Sequence, residues 1–363
     1  MIHRTKICRI CTLALGLLLT SDRGVVAQDE RGELERAEEQ AFKEVAVKVS
    51  PSLVKIDTVG GLDVIGKQLA STAATTGVIV SADGYLVSSA FNFISKPASI
   101  LVTLPNGDRK PASIVATDRL RMVTLLKVDA NGLTPPVAAP KSSFRVGQWS
   151  IALGRTYDTA LPSVSVGIVS AINRVWGKAV QTDAKISPVN YGGPLCDVQG
   201  RVMGLLVPLS PQETSESAGV EWYDSGIGFA VPLEDILGVL DQLKLGIDLR
   251  PGLAGVSLRG QDLNSSELII DRVRFDSPAW NAGLRAGDTV EQANGETIVR
   301  HAQLMQILKS RLEGDTVEIV ARRGDEKLTV KLVMVGELLP YESAFLGILP
   351  SRSDVARAGK AEA

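Results

Sequence analysis

The segment at residues 186–195, ISPVNYGGPL, has the composition of a loop that presents a nucleophile. A proline and an asparagine come before a paired glycine, and such residues form tight turns. Tyr191 directly precedes the paired glycine, where such a loop would present its nucleophile, and its phenol has an ordinary pKa of about 10. Covalent catalysis requires a nucleophile that a neighbouring base activates. The next question is therefore which base the chain could supply.

Histidine, the commonest catalytic base, is nearly absent from the chain. The 363 residues contain two histidines, His3 and His301. His3 lies in an N-terminal segment that we expect to be removed, so no histidine is available in the first two thirds of the mature chain. This excludes a histidine-rich metal site, and we expect neither a metal nor a cofactor. A pair of Lys185 and Ser187 stays open as a catalytic dyad, although nothing in the sequence positions it.

Residues 1–27 have the pattern of a secretory signal peptide. Basic residues come first, the apolar run ICTLALGLLL follows, and small residues end the segment at Ala27. The predicted protein is therefore exported, to the periplasm, the cell envelope or the outside of the cell. An uncleaved anchor is the alternative. After cleavage no integral membrane segment is expected, and the single remaining cysteine, Cys196, is interpreted as a small buried apolar residue.

The overall composition limits the class of partner. The formal net charge is −2 and no long run of Lys or Arg occurs, which argues against a nucleic-acid-binding protein. Apolar residues make up 45% of the chain, enough for ordinary hydrophobic cores. The length suits two domains.

The elements that must position the loop can be read from the pattern along the chain. Residues 29–49 predict a helix, which the SPS sequence at 50–52 ends. From 53 to 231, short runs rich in Val, Ile and Thr alternate with turn signals, which predicts an all-β barrel or sandwich. A short amphipathic helix is predicted over 232–246. Residues 252–335 then show an α+β pattern that includes strands LAGVSL and ELIIDRVR and a helix over 301–312.

Seven ordered motifs between residues 50 and 232 resemble the trypsin-like domain of HtrA/Do-type (DegP/DegQ-like) serine proteases. The motifs are SPSLVKI, TTGVIVSADGYLV, VTLLKV, SVGIVSAINR, QTDAKISPVNYGGPL, GRVMGL and GIGFAVP. The motifs AGLRAGD and ANGE resemble the PDZ domain that follows it in that family. The resemblance implies an all-β double barrel of the chymotrypsin/trypsin type followed by a small α+β PDZ domain. The predicted organisation is a signal peptide (1–27), an N-terminal helix and oligomerisation segment (28–50), the protease-fold domain (51–247), the PDZ domain (251–336) and a C-terminal tail (337–363).

The same resemblance implies the positions of a Ser-His-Asp triad. The nucleophile falls on Tyr191, the histidine on Phe91 and the aspartate on Met122. The glycine that shapes the oxyanion turn falls on Val189. The chemistry fails separately at each position, since Phe91 transfers no proton and Met122 cannot orient an imidazole. We predict no catalytic residue, and we predict that the three side chains pack together in the cleft between the barrels.

The PDZ motif implies a peptide-binding site. Leu253, Ala254, Gly255 and Val256 would form the loop and edge strand that receive a peptide C-terminus. Leu304 and Leu308 would line the groove. A PDZ domain that only packs on the barrel is the alternative. We interpret His301 as a partly exposed residue at a helix start rather than as a ligand or switch.

Two further features leave alternatives open. The N-terminal helix implies, by resemblance, a homotrimer or a hetero-oligomer with active relatives, while its charged ERAEEQ sequence also suits a solvated helix face. In the tail, AFLGILP at 344–350 is either an added strand or the remnant of a second PDZ domain.

The predicted function is that of an exported, catalytically inactive HtrA/Do-like homologue, a pseudoprotease. It would bind peptides or unfolded segments through its PDZ domain, in protein quality control or regulation. The alternatives are an active HtrA-type endopeptidase and a structural oligomeric envelope protein that recognises no peptide.

Overall fold

The computed structural model describes residues 21–61, 64–65, 68–69, 74–156, 162–210, 226–260 and 262–339. The first 20 residues of the predicted signal peptide and residues 340–363 of the predicted tail lie outside the described residues, and so does AFLGILP. The described chain divides into two compact units. Unit 1 contains the residues up to Gly252 together with Ala302–Asp315, and unit 2 contains Leu253–His301 and the residues from Thr316 onwards.

Helix α1 spans Ser21–Val49 and includes the whole of the helix predicted over 29–49. It ends where the predicted stop lies, because Ser50–Ser52 form a 3₁₀ turn that contains Pro51, which has no N–H to donate. The last turns of α1 bury Val45 and Val49 in the core of unit 1. The C-terminal end of this helix is therefore held by packing.

The first barrel is a closed sheet of six antiparallel strands. Its strands are β1 (Leu53–Val59), β4 (Thr75–Ile79), β5 (Tyr85–Ser89), β6 (Ser99–Thr103), β7 (Arg109–Asp118) and β8 (Val123–Val128). They pair in the order β1-β4-β5-β8-β7-β6. The barrel interior is filled by side chains such as Ile56, Leu86 and Leu126, all fully buried. A small hairpin of β2 (Val64–Ile65) and β3 (Gln68–Leu69) lies between β1 and β4 in the chain.

The second barrel repeats the arrangement. Its strands are β9 (Trp149–Gly154), β10 (Ser163–Asn173), β11 (Ala179–Thr182), β12 (Pro194–Cys196), β13 (Val202–Leu206) and β14 (Gly228–Pro232). They close in the order β10-β11-β14-β13-β12-β9. One apolar cluster joins the two barrels, since Leu53 and Leu125 of the first pack in the same cluster as Ile151 and Leu205 of the second. This shared core packs the two barrels against each other and so sets the cleft between them.

The helix predicted over 232–246 is instead two short helices. These are α2 (Leu233–Gly238) and α3 (Leu240–Lys244), which meet at Val239 with φ −111° and ψ 3°. Gly238 lies at the break, where the low helix propensity of glycine favours an interruption. Leu233, Ile236 and Leu243 are nonetheless buried, so the predicted apolar face is kept.

The described residues of unit 2 form two small sheets and one short helix. The sheets are formed by β15 (Val256–Leu258) with β16 (Ile270–Val273), and by β17 (Thr289–Ala293), β18 (Glu296–Thr297), β19 (Thr316–Arg323) and β20 (Glu326–Val333) in the order β18-β17-β19-β20. Helix α4 spans Pro278–Asn281. Helix α5 spans His301–Lys309, and all of it after His301 groups with unit 1. The strand predicted over LAGVSL begins only at Val256, because Gly255 has a φ of +75° that a strand does not accept.

The prediction of a double β-barrel followed by a smaller α+β unit is confirmed, and each barrel has six antiparallel strands. No helix among the described residues is long and apolar enough to cross a bilayer.

Candidate functional site

The loop around Tyr191 is held by backbone hydrogen bonds within the second barrel. Pro188–Asn190 form a 3₁₀ turn, and the Tyr191 N–H donates to the carbonyl of Pro188 at 3.2 Å. The Gly192 N–H donates to Leu206 O and the Gly193 N–H to Asn190 O, each at 2.8 Å. All three N–H groups of the Tyr-Gly-Gly sequence are therefore bonded within the protein.

The two glycines of the loop are required by close packing. Gly192 has a φ of +88°, and a Cβ atom there would lie 2.1 Å from Ser88 Oγ and 2.3 Å from Thr76 O. A Cβ atom at Gly193 would lie 2.2 Å from the carbonyl oxygen of Leu153. Real Cβ contacts are not that short, so the glycine pair lets the loop approach both barrels.

Phe91 lies across the cleft from Tyr191. It belongs to the 3₁₀ turn Ala90–Phe93, which follows β5 of the first barrel. The two ring centroids are 5.6 Å apart with an angle of 81° between the planes, an edge-to-face contact. The Tyr191 side chain is 6% exposed. The structure thus brings these two residues together, as the packing prediction requires.

Met122 is the third position that the sequence matched to the triad. It lies between β7 and β8, is 5% exposed, and belongs to the apolar cluster against which Phe91 packs. Its carbonyl accepts the N–H of Ala90 at 2.8 Å, which ties it to the turn that carries Phe91. Met122 has a φ of +58°, and the carboxylate of Asp118 stabilises the preceding turn by accepting the N–H groups of Leu120 and Arg121.

Two residues of the site were missed by sequence reasoning. Thr75 Oγ1 donates to the carbonyl of Tyr191 at 2.7 Å, and Asn92 Nδ2 donates to the same carbonyl at 3.0 Å. Asn92 Nδ2 also lies 3.1 Å from Ser88 Oγ. Both residues come from the first barrel, so they attach the loop of the second barrel to the first. The only sequence signal was that Asn92 directly follows Phe91.

The three positions that the sequence matched to the triad carry two aromatic rings and a thioether. The side chains that face one another are a phenol and a phenyl ring, with a thioether in the adjacent core. Burial raises the pKa of the Cys196 thiol, so the cysteine that follows the loop is not a reactive thiolate. The arrangement is a packed contact between two barrels.

The second predicted site lies in unit 2 at Leu253–Val256. The Leu253 N–H donates to Val335 O at 2.8 Å. Among the hydrogen bonds between described residues, none uses the N–H groups of Ala254 or Gly255. A Cβ atom on Gly255 would lie 2.2 Å from Ser277 Cβ. The loop therefore keeps two adjacent backbone donors, which is the chemistry that a carboxylate needs.

The predicted groove residues Leu304 and Leu308 are buried in α5, at 1% and 6% exposure. Their role toward a peptide stays a prediction. The expectation of a partly exposed His301 is wrong, because this residue is 3% exposed. It does begin a helix, its N–H donates to Ser265 O at 3.0 Å, and its Nε2 lies 2.6 Å from Glu267 O. These bonds to the chain before β16 bury the ring.

Comparisons with known proteins agree with this architecture. Residues 75–205 match the family of trypsin-like peptidase domains, and residues 251–334 match the PDZ domain family. The chain is 33% identical over 277 residues to a probable periplasmic serine endoprotease, DegP-like, of Halomonas elongata. The matched region is 72% of this chain and 56% of that relative. It is 32% identical over 293 residues to a probable periplasmic serine endoprotease, DegP-like, of Ectopseudomonas mendocina. That match covers 76% of this chain and 59% of the relative. The chain thus spans less than two thirds of the length of these relatives.

Solved structures give the same fold. The serine endoprotease from Yersinia pestis superimposes with a TM-score of 0.61 at 24% identity, over 81% of this chain and 97% of that one. The HtrA-type protease AlgW with a tripeptide superimposes with a TM-score of 0.65 at 24% identity, over 82% and 98%. Fold and matches define the class, a trypsin-like peptidase domain followed by a PDZ domain. Within that class, the chain belongs to the HtrA, or DegP-like, family.

Proposed function

We propose that this chain is an exported HtrA-family protein that has no peptidase activity and binds peptide segments through its PDZ domain. The observation that carries the proposal is the edge-to-face contact of Phe91 with Tyr191 at the positions that the family motifs match to the base and the nucleophile. A general base must accept a proton, and a phenyl ring cannot do so. The proposal is also supported by Tyr191 itself, because the nucleophile position then holds a buried phenol packed on Phe91, which supplies no base to activate it.

The histidine content of the chain supports the lack of peptidase activity, whichever residues are matched to the family triad. Neither barrel contains a histidine, since the two in the chain are His3 and His301. A shifted alignment therefore does not restore a Ser-His-Asp triad. In addition, the Tyr191 N–H, the backbone donor of the nucleophile position, is already bonded to Pro188 O. A substrate oxyanion would have to displace that bond.

Peptide recognition is supported by the loop in unit 2. The backbone donors of Ala254 and Gly255 make no bond within the described part of the chain, and the edge strand β15 follows directly at Val256. A peptide carboxylate bonded to such donors is the recognised mode of PDZ binding. We further propose that Leu304 and Leu308 contribute apolar contacts.

The activity half of the proposal is tested with a fluorophosphonate probe and an unfolded protein substrate, using an active HtrA protease as the positive control. We expect no labelling and no cleavage by the full chain. The Tyr191→Ser variant should remain inactive as well, since position 91 would still lack a base. Labelling of the parent chain that a single serine substitution abolishes would sink the proposal. Turnover by Tyr191→Ser would reveal a base outside the three matched positions.

An active endopeptidase is the second candidate. What favours it is the description of the relatives as probable periplasmic serine endoproteases. The same probe decides between the two, because an active enzyme must carry a serine that the fluorophosphonate modifies. Cleavage of the unfolded substrate would then have to disappear together with the label.

The peptide-binding half is tested by fluorescence anisotropy with peptides that differ only in a free or an amidated C-terminus. We expect the full chain to prefer the free carboxylate. Equal binding of both forms, or no binding, would favour a structural oligomeric protein of the envelope without peptide recognition. Sedimentation of the chain alone and with an active relative would test the proposed homotrimer or hetero-oligomer. Export to the periplasm is tested by cell fractionation.

A further inference from the structure

A second cluster of charged side chains lies in unit 1, away from the Phe91–Tyr191 contact. Its centre is Lys178, a half-buried residue between the turn Arg174–Gly177 and β11. Among the described residues, no hydrogen bond or ion pair uses the ammonium group of Lys178. Burial, and next the charge of Lys309, lowers the pKa of Lys178 to about 8. A half-buried ammonium without a partner is unfavourable, so this group has unused capacity to bind an anion.

Lys309 provides a second ammonium group at the same place. It lies at the end of α5, in the part of that helix that belongs to unit 1. Its Nζ is 4.5 Å from the centroid of the Trp176 ring, and Trp176 is two residues before Lys178. The ring therefore holds the ammonium of Lys309 beside the short segment that also carries Lys178. Burial also lowers the pKa of Lys309.

Asp118 is the carboxylate whose charge acts on Lys178, and it already pairs with another residue. Asp118 is 1% exposed, and its Oδ2 pairs with Arg121 Nη1 at 2.7 Å. Its Oδ1 accepts two backbone N–H groups. The charges of Asp118, Arg121 and Lys309 all act on Lys178, so this group of four side chains contains three cations and one carboxylate. The excess positive charge has no counterion within this group.

The backbone that carries the cluster is strained. Val175 and Trp176 have φ values of 49° and 62°, in the left-handed region that β-branched and aromatic residues rarely adopt. Val175 is 7% exposed and packs in the apolar core, which holds the turn in place. Strained backbone is often found at functional sites. Here the strained residues lie directly before Lys178, and one of them, Trp176, provides the ring that contacts Lys309.

We propose that Lys178 and Lys309 together bind an oxyanion, the phosphate or carboxylate group of a small molecule, beside the turn Arg174–Gly177. An oxyanion accepts a charge-assisted hydrogen bond from each ammonium and removes the repulsion between them. The excess of cations is local, since the whole chain carries a net charge of −2, so a compact anion suits the site better than a polyanion. This site does not depend on the proposed peptide binding.

The test is calorimetric titration of the full chain with inorganic phosphate and, separately, with acetate, at constant ionic strength maintained with chloride. We expect one saturable site for at least one anion, and at least tenfold weaker binding in Lys178→Met and in Lys309→Met. Methionine keeps the length of the side chain and removes the charge. Saturable phosphate binding without acetate binding assigns the site to phosphate, and acetate binding assigns it to carboxylates.

Lys127→Met is the matched control, because Lys127 Nζ also lies 4.5 Å from an aromatic ring, that of Tyr85. Lys127 differs in having a partner, the carbonyl of Asp83. We expect anion binding to be unchanged in this variant. The proposal is overturned if neither anion binds saturably, if both site variants bind like the parent chain, or if Lys127→Met weakens binding as much as they do.

A second measurement does not depend on the stability of the variants. The parent chain is treated briefly with acetic anhydride near pH 8, and the modified lysines are mapped by mass spectrometry. Lys178 should react readily without an anion and be protected by the one that binds, while the reactivity of Lys127 stays constant. Equal modification of Lys178 with and without that anion would contradict the proposal.

Discussion

The loop at Tyr191 and the loop at Gly255 are both glycine-containing turns, but they use their backbone donors in opposite ways. The N–H groups of Tyr191, Gly192 and Gly193 all donate to carbonyls of the protein. Those of Ala254 and Gly255 donate to no group among the described residues. Backbone donors that are already bonded hold a loop closed, whereas unused donors are available to a ligand. This difference supports the proposal of a ligand site in unit 2, and it sets that loop apart from the packed loop in the cleft between the barrels.

The largest expected effect is on the packed loop. Gly192→Ala places a Cβ atom against Ser88 Oγ and Thr76 O at a residue with φ +88°, so we expect a loss of about 3–5 kcal/mol in the free energy of unfolding. Gly107→Ala is the control, because Gly107 has φ +91° and nothing within 4 Å of its Cβ position. It should cost about 1 kcal/mol from backbone strain alone. Denaturant unfolding measures both. Equal effects would mean that the loop is not tightly packed.

The second effect is on ligand binding in unit 2. Gly255→Ala should weaken the binding of a free-carboxylate peptide by roughly 2–3 kcal/mol, since the Cβ atom would meet Ser277 and rotate the donors away. Gly260→Ala has a similar φ of +79° and open space around it, and should leave peptide affinity unchanged. Anisotropy measures affinity, and the near-ultraviolet circular dichroism of each variant checks that unit 2 is folded. A folded Gly255→Ala variant with full affinity would remove the contrast between the loops.

The smallest expected effect is on the free energy of unfolding when a hydrogen bond to the Tyr191 carbonyl is removed. Thr75→Val removes the donor at 2.7 Å and keeps the shape of the side chain, so we expect a loss of about 1–2 kcal/mol in the free energy of unfolding. Thr117→Val is the comparison, because the Thr117 hydroxyl bonds to Thr124 Oγ1 in a partly buried position and makes no bond to the Tyr191 carbonyl. It should cost under about 1 kcal/mol. Neither variant should gain peptidase activity, and a Thr75→Val variant that cleaves protein would show that the cleft is held closed rather than inactive.

Much of the fold could be predicted from local pattern. The alternation of Val, Ile and Thr runs with turns predicted an all-β barrel or sandwich, and Pro51 marked the end of α1. The double barrel was implied by the resemblance to the HtrA family. The helix over 232–246 was predicted as one piece because its apolar spacing continues across Gly238, although the backbone breaks there. The burial of His301 was missed because it depends on Ser265 and Glu267, which come before β16 in the sequence.

Some properties of the candidate site follow from the sequence alone, and others depend on the tertiary structure. The residue types at Phe91, Met122 and Tyr191, and the lack of any histidine in the barrels, are properties of the sequence alone. They bear on catalysis whatever the conformation, since phenyl and thioether side chains transfer no proton and the phenol of Tyr191 has an ordinary pKa of about 10. Only the tertiary structure decided that the rings of Phe91 and Tyr191 touch, that Thr75 and Asn92 hold the loop, and which backbone donors stay unused. These depend on segments far apart in the chain, which only the closing of the two barrels brings together.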